Sequence, residues 1–140
     1  MPITLTVPEG LLSPEAEART FSELTRALLK INGLDGNSFM EPNVVGTLNV
    51  LPKGHVFSGG KPAAAAFVEL KLPTIALATP EAKHAFTEAA TTILERAAEG
   101  RLSRDRIWTN VVYADDGSWG IGGRAYSNSE LVDAIQHAAR

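Results

Sequence analysis

Four runs of the chain carry the apolar pattern of β-strands. In the first, Pro2 to Val7, three apolar residues alternate with two threonines, which is the period of a strand that buries one face. The other three runs are Val44 to Leu51, Ala64 to Leu72 and Arg106 to Tyr113. The four runs occur as two pairs, and the residues between the members of each pair have a helical period instead.

The two predicted helices begin with the same signature. Ser13-Pro14-Glu15-Ala16 recurs as Thr79-Pro80-Glu81-Ala82. In both copies a hydroxyl can cap the helix, proline suits its first position and glutamate favours the positive end of the helix dipole. Apolar residues follow on one stripe of each helix: Phe21, Leu24, Leu28 and Ile31, then Phe86, Ala90, Ile93, Leu94 and Ala97. We expect the helices to end near Asn32-Gly33 and at Gly100, because glycine accepts the left-handed conformation of a helix cap.

The pattern is therefore β-α-β twice over, and it predicts an α/β (α+β) fold in a single domain over residues 1–140. Two such units with right-handed crossovers make a four-stranded mixed sheet with two helices on one face. Only one short helix, about Asn128 to Ala139, is left to cover the other face. We therefore expect oligomerisation to bury the sheet face that is left over.

Composition narrows the function classes. The 13 basic and 16 acidic residues give a net charge of −3, without the basic excess of a nucleic-acid binder. No apolar run approaches the ~20 residues of a membrane span, and the start of the chain lacks the basic region of a signal peptide. We therefore expect a cytoplasmic protein with neither nucleic-acid nor membrane partners. The chain has no cysteine, and His55, His84 and His137 lack metal-ligand spacing, which argues against a metal site.

The glycine clusters predict turns. Gly59-Gly60-Lys61-Pro62 is typical of a turn before a strand. The run from Trp119 to Arg124 contains three glycines and follows the turn-forming Asp115-Asp116-Gly117-Ser118, which indicates a hairpin or bulge. A phosphate-binding loop is excluded there, because no helix starts directly after Gly123. The glycine spacing also matches neither a P-loop nor a dinucleotide-binding fingerprint.

Pro2 carries the most suggestive chemistry of the chain. Aminopeptidases remove an initiator methionine before a small residue such as proline, so we expect the mature chain to start with a secondary amine that the ring holds in place. An α-amine has a pKa of ~7.7–8, and desolvation lowers it. A neutral proline amine in a dry pocket can therefore act as a general base near neutral pH. The structural alternative is that Pro2 simply begins a strand, where proline is tolerated.

These features together resemble the tautomerase superfamily. The resemblance covers most of the chain and rests on Pro2, on Leu51-Pro52 with Gly59-Gly60, and on the stretch from Asp105 to Gly123. It is strongest toward the longer-chain branch, which includes macrophage migration inhibitory factor and related bacterial tautomerases. The resemblance implies a homotrimer with active sites at subunit interfaces. It also implies a cofactor-independent tautomerase, in which the amino-terminal proline moves a proton between carbon and oxygen of a small α-keto or enol carboxylate.

The resemblance also implies roles for other residues. Asn110 falls where that branch has a pocket asparagine, and it is expected to hydrogen-bond the developing enolate oxygen. Trp108 is two residues away and so shares its strand face. The expected substrate-binding residues are Lys71, Leu72, Trp108, Phe57 and Arg124.

The carboxylate-binding residue is where this chain departs from the family. The family's lysine after the first helix has no counterpart, because the loop from Asn32 to Asn43 holds no basic residue. Lys71 is therefore the first candidate and Arg124 the second. Lys71 also has a plainer interpretation, as half of a solvated charge pair with Glu69 on the same strand face.

Two alternatives to a tautomerase stay open. Some relatives protonate the same proline and use it as an acid in dehalogenation, hydration or decarboxylation. Because a fold does not determine a function, a noncatalytic trimer that binds a small ligand or a protein partner is the second alternative. The state of the N-terminus separates the enzyme from the noncatalytic trimer, since an attached Met1 converts the proline amine into an amide.

Overall fold

The first β-α-β unit places Pro2 immediately before a strand. The computed structural model describes residues 1–138. Strand β1 (Ile3–Pro8), helix α1 (Pro14–Ile31) and strand β2 (Gly46–Leu51) form this unit, and a one-turn 3₁₀ helix, Glu41–Asn43, lies in the loop before β2.

The second unit follows a small hairpin. Strands β3 (Phe57–Ser58) and β4 (Lys61–Pro62) pair with each other, with the turn at Gly59-Gly60 that the sequence predicts. Strand β5 (Ala66–Pro73), helix α2 (Pro80–Ala97) and strand β6 (Ile107–Ala114) then repeat the β-α-β order.

A second hairpin and a third helix complete the described chain. Strands β7 (Trp119–Ile121) and β8 (Arg124–Tyr126) are antiparallel, and helix α3 (Asn128–His137) follows them. Gly122 and Gly123 form the two-residue turn with φ of 59° and 85°, a conformation that glycine adopts without strain. The hairpin predicted for this glycine cluster is therefore confirmed.

Both predicted helix starts are confirmed at the level of single hydrogen bonds. Ser13 Oγ accepts a hydrogen bond from the Ala16 N–H at 3.1 Å, and Thr79 Oγ1 accepts one from the Ala82 N–H at 3.1 Å. Helix α1 ends as expected, with Asn32 as its cap. Helix α2 ends earlier than predicted, with Ala98 as its cap.

The four long strands form one mixed sheet in the order β2-β1-β5-β6. The pairs β1–β2 and β5–β6 are parallel, whereas the two central strands β1 and β5 are antiparallel. Ile3 lies opposite Gly46 on one side and opposite Leu70 on the other. The start of β1 therefore lies beside the end of β5. The predicted fold class, with two β-α-β units in a mixed four-stranded sheet, is confirmed.

Helices α1 and α2 cover one face of this sheet. The inward side chains Ile3, Leu5, Val68 and Leu70 are fully buried, and they belong to the same core as Leu24, Phe86 and Leu94 of the helices. The alternate side chains of the strands form the opposite face, which we call the open face: Thr4, Thr6, Thr47, Asn49, Phe67, Glu69, Lys71, Trp108, Asn110 and Val112.

Helix α3 does not cover the open face. Its Leu131 is buried in the core on the helix side of the sheet, together with Met1 and Met40. The helix ends at His137, and the predicted end near Ala139 lies outside the described residues. The open face is therefore uncovered by this helix, as the expectation of oligomerisation requires.

The observed strand limits differ from the predicted ones by up to two residues. The largest differences are at the strands predicted from Val44 and Ala64, which begin at Gly46 and Ala66. Val44 does not join β2 because its N–H closes the preceding 3₁₀ turn, donating to the carbonyls of Met40 and Glu41.

None of the helices within residues 1–138 is long and apolar enough to cross a membrane.

Candidate active site

Pro2 immediately precedes the central strand β1, and hydrogen bonds to both neighbouring strands fix the backbone there. Its carbonyl accepts a hydrogen bond from the Lys71 N–H of β5 at 3.1 Å, and the following Ile3 N–H donates to the Val45 carbonyl at 2.8 Å. A side chain or amine at this position is therefore fixed by two neighbouring strands. Because the proline ring also restricts the backbone, the position of its nitrogen is well defined.

Met1 is buried although it is the first residue of the chain. Only 2% of its surface is exposed, and its amine donates a short hydrogen bond to the Asn43 carbonyl. Burial lowers the pKa of this amine from its ordinary value of 8.0 to about 5, because desolvation disfavours the charged form. The Met1 amine is therefore neutral at pH 7.

A cavity of about 180 Å³ adjoins Met1. Three segments that are distant in sequence line it with Met1: the loop after α1, the end of β5 with the residues that follow it, and helix α3. The lining residues from these segments are Asn32, Leu34 and Met40, then Pro73, Ile75 and Ala76, and finally Leu131, Val132 and Ile135. The cavity is therefore apolar and lies at the N-terminal end of the chain.

Two polar contacts hold helix α3 over this cavity. The buried Asn37 donates from Nδ2 to the Ile135 carbonyl at 3.0 Å, while its Oδ1 accepts from the Phe39 and Met40 N–H groups. At the other end of the helix, Asn128 Nδ2 donates to Thr74 Oγ1 at 2.7 Å. The helix is thus tied both to the loop after α1 and to the residues after β5.

The open face carries an aromatic pair and an amide. The rings of Phe67 and Trp108 stack with centroids 5.8 Å apart, and Trp108 is 41% exposed. Asn110 lies two residues further along β6 and is also exposed. Pro2 lies opposite Lys71 of β5, and Lys71 lies opposite Val112 of β6. Asn110 is therefore two strands across and two residues along from Pro2. With a strand spacing of about 4.8 Å and a rise of about 3.3 Å per residue, their Cα atoms are roughly 12 Å apart.

No family model and no curated protein matches this chain. Solved structures do match. A fused 4-OT protein, solved as a symmetric trimer, has a TM-score of 0.75 and 17% identity over 94% of this chain and 98% of its own. A member of the cis-3-chloroacrylic acid dehalogenase family has a TM-score of 0.76 and 18% identity, covering 94% of this chain and 89% of its own.

A third match is macrophage migration inhibitory factor from Toxoplasma gondii, with a TM-score of 0.72 and 15% identity over 90% of this chain and 100% of its own. All three comparisons span nearly the whole of both chains. The chain has the tautomerase-superfamily fold. The fold that the sequence resemblance implies is therefore confirmed, at identities that establish the fold alone.

The predicted substrate-binding residues lie in separate parts of this fold. Lys71 lies on the open face, opposite Pro2 in the strand register. Leu72 points to the other side of the sheet and is fully buried in the core. Phe57 is 56% exposed in the β3–β4 hairpin, which follows the end of β2. Because β2 is parallel to β1, that hairpin lies at the end of the sheet away from Pro2.

Arg124 has partners of its own within this fold. Its guanidinium pairs with the Glu130 carboxylate at 3.1 Å and lies 4.5 Å from the centre of the Tyr126 ring. Neither Arg124 nor Lys71 is among the residues that line the cavity beside Met1. Within one chain, the structure therefore brings neither predicted carboxylate-binding residue into that cavity.

A larger cavity, of about 550 Å³, occupies the equivalent place in the second β-α-β unit. This cavity adjoins Ala64, which lies two residues before β5. The smaller cavity adjoins Met1, which lies two residues before β1. The polar walls of the larger cavity are already engaged, because Glu9 Oε1 accepts from the Lys53 N–H and Arg101 Nε donates to the Leu11 carbonyl. Since Ala64 is inside the chain, the second unit cannot present an α-amine to this cavity.

Several residues of the site are missed by sequence reasoning. Asn37, Asn43 and Met40 lie in a loop that sequence reasoning noted only for its lack of basic residues, and their side chains or carbonyls build the cavity wall and its polar contacts. The sequence signal for Asn37 was a lone asparagine in a turn, which is too common to indicate a buried bridge to a helix about a hundred residues away.

Burial of the Met1 amine predicts a pH-dependent stability for protein that retains Met1. Between pH 8 and about 5 the unfolded chain binds a proton on this amine, whereas the folded chain does not. The free energy of unfolding is therefore expected to fall as the pH is lowered through this window. NMR titration of the Met1 amine, in protein labelled with ¹⁵N-methionine, should show a midpoint near 5. A midpoint near 8 would mean that the amine is solvated.

Proposed function

We propose that the chain, once Met1 has been removed, is a cofactor-independent enzyme that interconverts the keto and enol forms of a small substrate, with the Pro2 amine as the general base. The observation that carries this proposal is the apolar cavity at the N-terminal amine. Burial lowers the pKa of the Met1 amine there to about 5, and we expect desolvation at the same place to keep the Pro2 amine neutral at pH 7 once Met1 is removed. A neutral amine beside an apolar cavity is a base with access to a bound ligand.

The reaction needs only one proton and no redox partner. The lone pair of Pro2 nitrogen takes a proton from the carbon next to the substrate carbonyl. The electrons of that C–H bond form the C=C bond, and the C=O electron pair moves onto oxygen. The protonated amine then gives the same proton to this oxygen, which completes the enol and restores the base. The reverse direction uses the same steps.

The developing oxygen charge needs a hydrogen-bond donor, and Asn110 is the proposed one. In one chain its Cα is roughly 12 Å from that of Pro2, given the strand spacing and rise, so the donor would come from Asn110 of the partner subunit in a homotrimer. Two observations support this arrangement. Asn110 and Trp108 are exposed on the open face, and the fused 4-OT proteins of this fold are trimers. A donor in a water-poor interface stabilises an enolate strongly.

The same burial favours a base over an acid. Dehalogenation or hydration at this site would need a protonated proline at neutral pH. Desolvation acts in the opposite direction, since it lowers the pKa of the Met1 amine at this place. The isomerase is therefore preferred over the other proline-dependent reactions.

The proposal is tested by measuring enol ketonisation with protein whose intact mass shows that Met1 is absent. Acceleration above the spontaneous rate, with a panel of charged and uncharged enols, is the expected result. The absence of acceleration with every member of the panel would favour the noncatalytic trimer instead.

The homotrimer gives a separate prediction. Val112 is 49% exposed on the open face. We expect Val112→Glu to shift the protein from trimer to monomer, because burying a carboxylate in an interface is costly even with Lys71 opposite it on the neighbouring strand. Ala85→Glu is the matched control, since Ala85 is exposed on helix α2. Sedimentation equilibrium distinguishes the species. A wild-type monomer at all concentrations would contradict the trimer, and an unchanged Val112→Glu trimer would place its interface elsewhere.

A further inference from the structure

The cavity beside Met1 is lined by uncharged side chains. Leu34 and Met40 form one wall, Ile75 a second, and Leu131 and Ile135 a third. Among the lining residues that the described chain supplies, none is lysine, arginine or histidine. A carboxylate in this cavity would lose its water without gaining a cation from the chain that forms the cavity, which disfavours its binding.

Met1 shows what the cavity accommodates. Its side chain is an unbranched thioether, and it is buried against this lining with 2% of its surface exposed. Met1 is joined to the Pro2 nitrogen by a peptide bond, so its loss would empty that volume and free the amine together. A group that reacts with Pro2 would then occupy space that fits an apolar side chain.

The polar groups of the wall do not favour an anion either. The Asn32 side chain is engaged at both ends, since Nδ2 donates to the Leu28 carbonyl at 2.8 Å and Oδ1 accepts from the Leu77 N–H at 2.8 Å. The Asn43 carbonyl, which accepts from the Met1 amine, is freed when Met1 is removed. A carbonyl can accept an O–H from a neutral enol, whereas it repels a carboxylate.

We propose that the substrate of this site is an uncharged, apolar enol or ketone, rather than the carboxylate that the sequence resemblance implies. This inference rests on the proposed role of Pro2. The apolar part of the substrate occupies the volume vacated by Met1, and the enol hydroxyl donates to the Asn43 carbonyl.

The test compares phenylpyruvate with its methyl ester, which removes the negative charge and adds one methyl group. With Met1-free protein at pH 7.5, we expect kcat/KM for the ester to exceed that for the acid by at least 100-fold. An equal or higher value for the acid would overturn the inference. If Lys71→Ala then raised KM for the acid, the carboxylate-binding role expected of Lys71 would be supported instead.

A binding measurement keeps this test independent of turnover. Methyl 3-phenylpropanoate and 3-phenylpropanoate have the same skeleton without the keto group, so neither can react. Calorimetry should give a Kd at least tenfold lower for the ester, and tighter or equal binding of the acid would overturn the inference. If the ester binds better but neither keto compound is turned over, the proposed function fails and the preference for an uncharged ligand stands.

A single substitution should reverse the preference. Leu34→Arg places a guanidinium in the cavity wall, and we expect it to lower the ester-to-acid ratio of kcat/KM at least tenfold. Leu34→Met is the matched control, since the side chain stays apolar and uncharged and the ratio should not change. Thermal unfolding checks that both variants fold. An unchanged ratio in a folded Leu34→Arg protein would show that the substrate binds outside this cavity.

Discussion

Replacing Pro2 with alanine is expected to lower kcat for keto–enol conversion by about 10²-fold or more, within the ~10²–10⁴-fold range of a general base. Alanine keeps an α-amine at the same place, so some activity should survive. It lacks the ring that fixes the nitrogen, however, and a primary amine can be diverted into imines with keto compounds. The reacting atoms are then less well oriented, which lowers the rate further.

The control for this variant is Pro8→Ala, at the other end of the same strand. Neither substitution removes a large buried side chain, so each should change the free energy of unfolding by about 1 kcal/mol or less. Steady-state kinetics on both proteins, with intact masses that confirm the N-terminus, make the comparison. Equal kcat values for wild type and Pro2→Ala would eliminate Pro2 as the base and favour the noncatalytic trimer.

Gly46→Ala is expected to lower the free energy of unfolding by about 3 kcal/mol, at the upper end of overpacking costs. A Cβ on Gly46 would lie 2.2 Å from the Ile3 carbonyl oxygen and 2.3 Å from Cζ of Phe21. The first contact is with backbone, so no change of side-chain rotamer relieves it. Gly46 is the register partner of Ile3, and separating the two strands there would also displace Pro2.

Gly120→Ala is the matched control, because a Cβ there meets nothing within 4 Å and should change the free energy of unfolding by about 0.5 kcal/mol at most. Urea or guanidinium unfolding of both variants measures the difference. A loss below about 1 kcal/mol for Gly46→Ala would mean that β1 and β2 are less closely packed at the Pro2 end than the structure has them.

The fold could be predicted because its signals are local. The Ser13-Pro14 and Thr79-Pro80 helix starts are set by contacts within four residues, and each was confirmed by a cap hydrogen bond. The alternation of Ile3, Leu5 and Val7 also names the face of β1 that is buried. Patterns of this kind depend on neighbouring residues and on burial alone, which a sequence carries directly.

The site could be predicted only in part, because four separate segments build it. Pro2 was singled out by its chemistry, whereas the cavity next to it depends on where α3 docks. That docking is decided by Asn37 and Leu131, which lie in different parts of the chain. Strand alternation correctly placed Lys71 on the face opposite Leu72, but no local pattern shows which face meets a cavity.

The most direct test of the account is activity with and without a residue in front of Pro2. Inserting alanine between Met1 and Pro2 should give a mature chain in which the proline nitrogen is an amide, with the sheet unchanged. The same chain without the insertion should begin with the free proline amine, and intact mass verifies both forms. We predict that only the chain beginning with Pro2 accelerates ketonisation of uncharged enols. Equal rates for the two chains would contradict the proposal that the proline amine is the base.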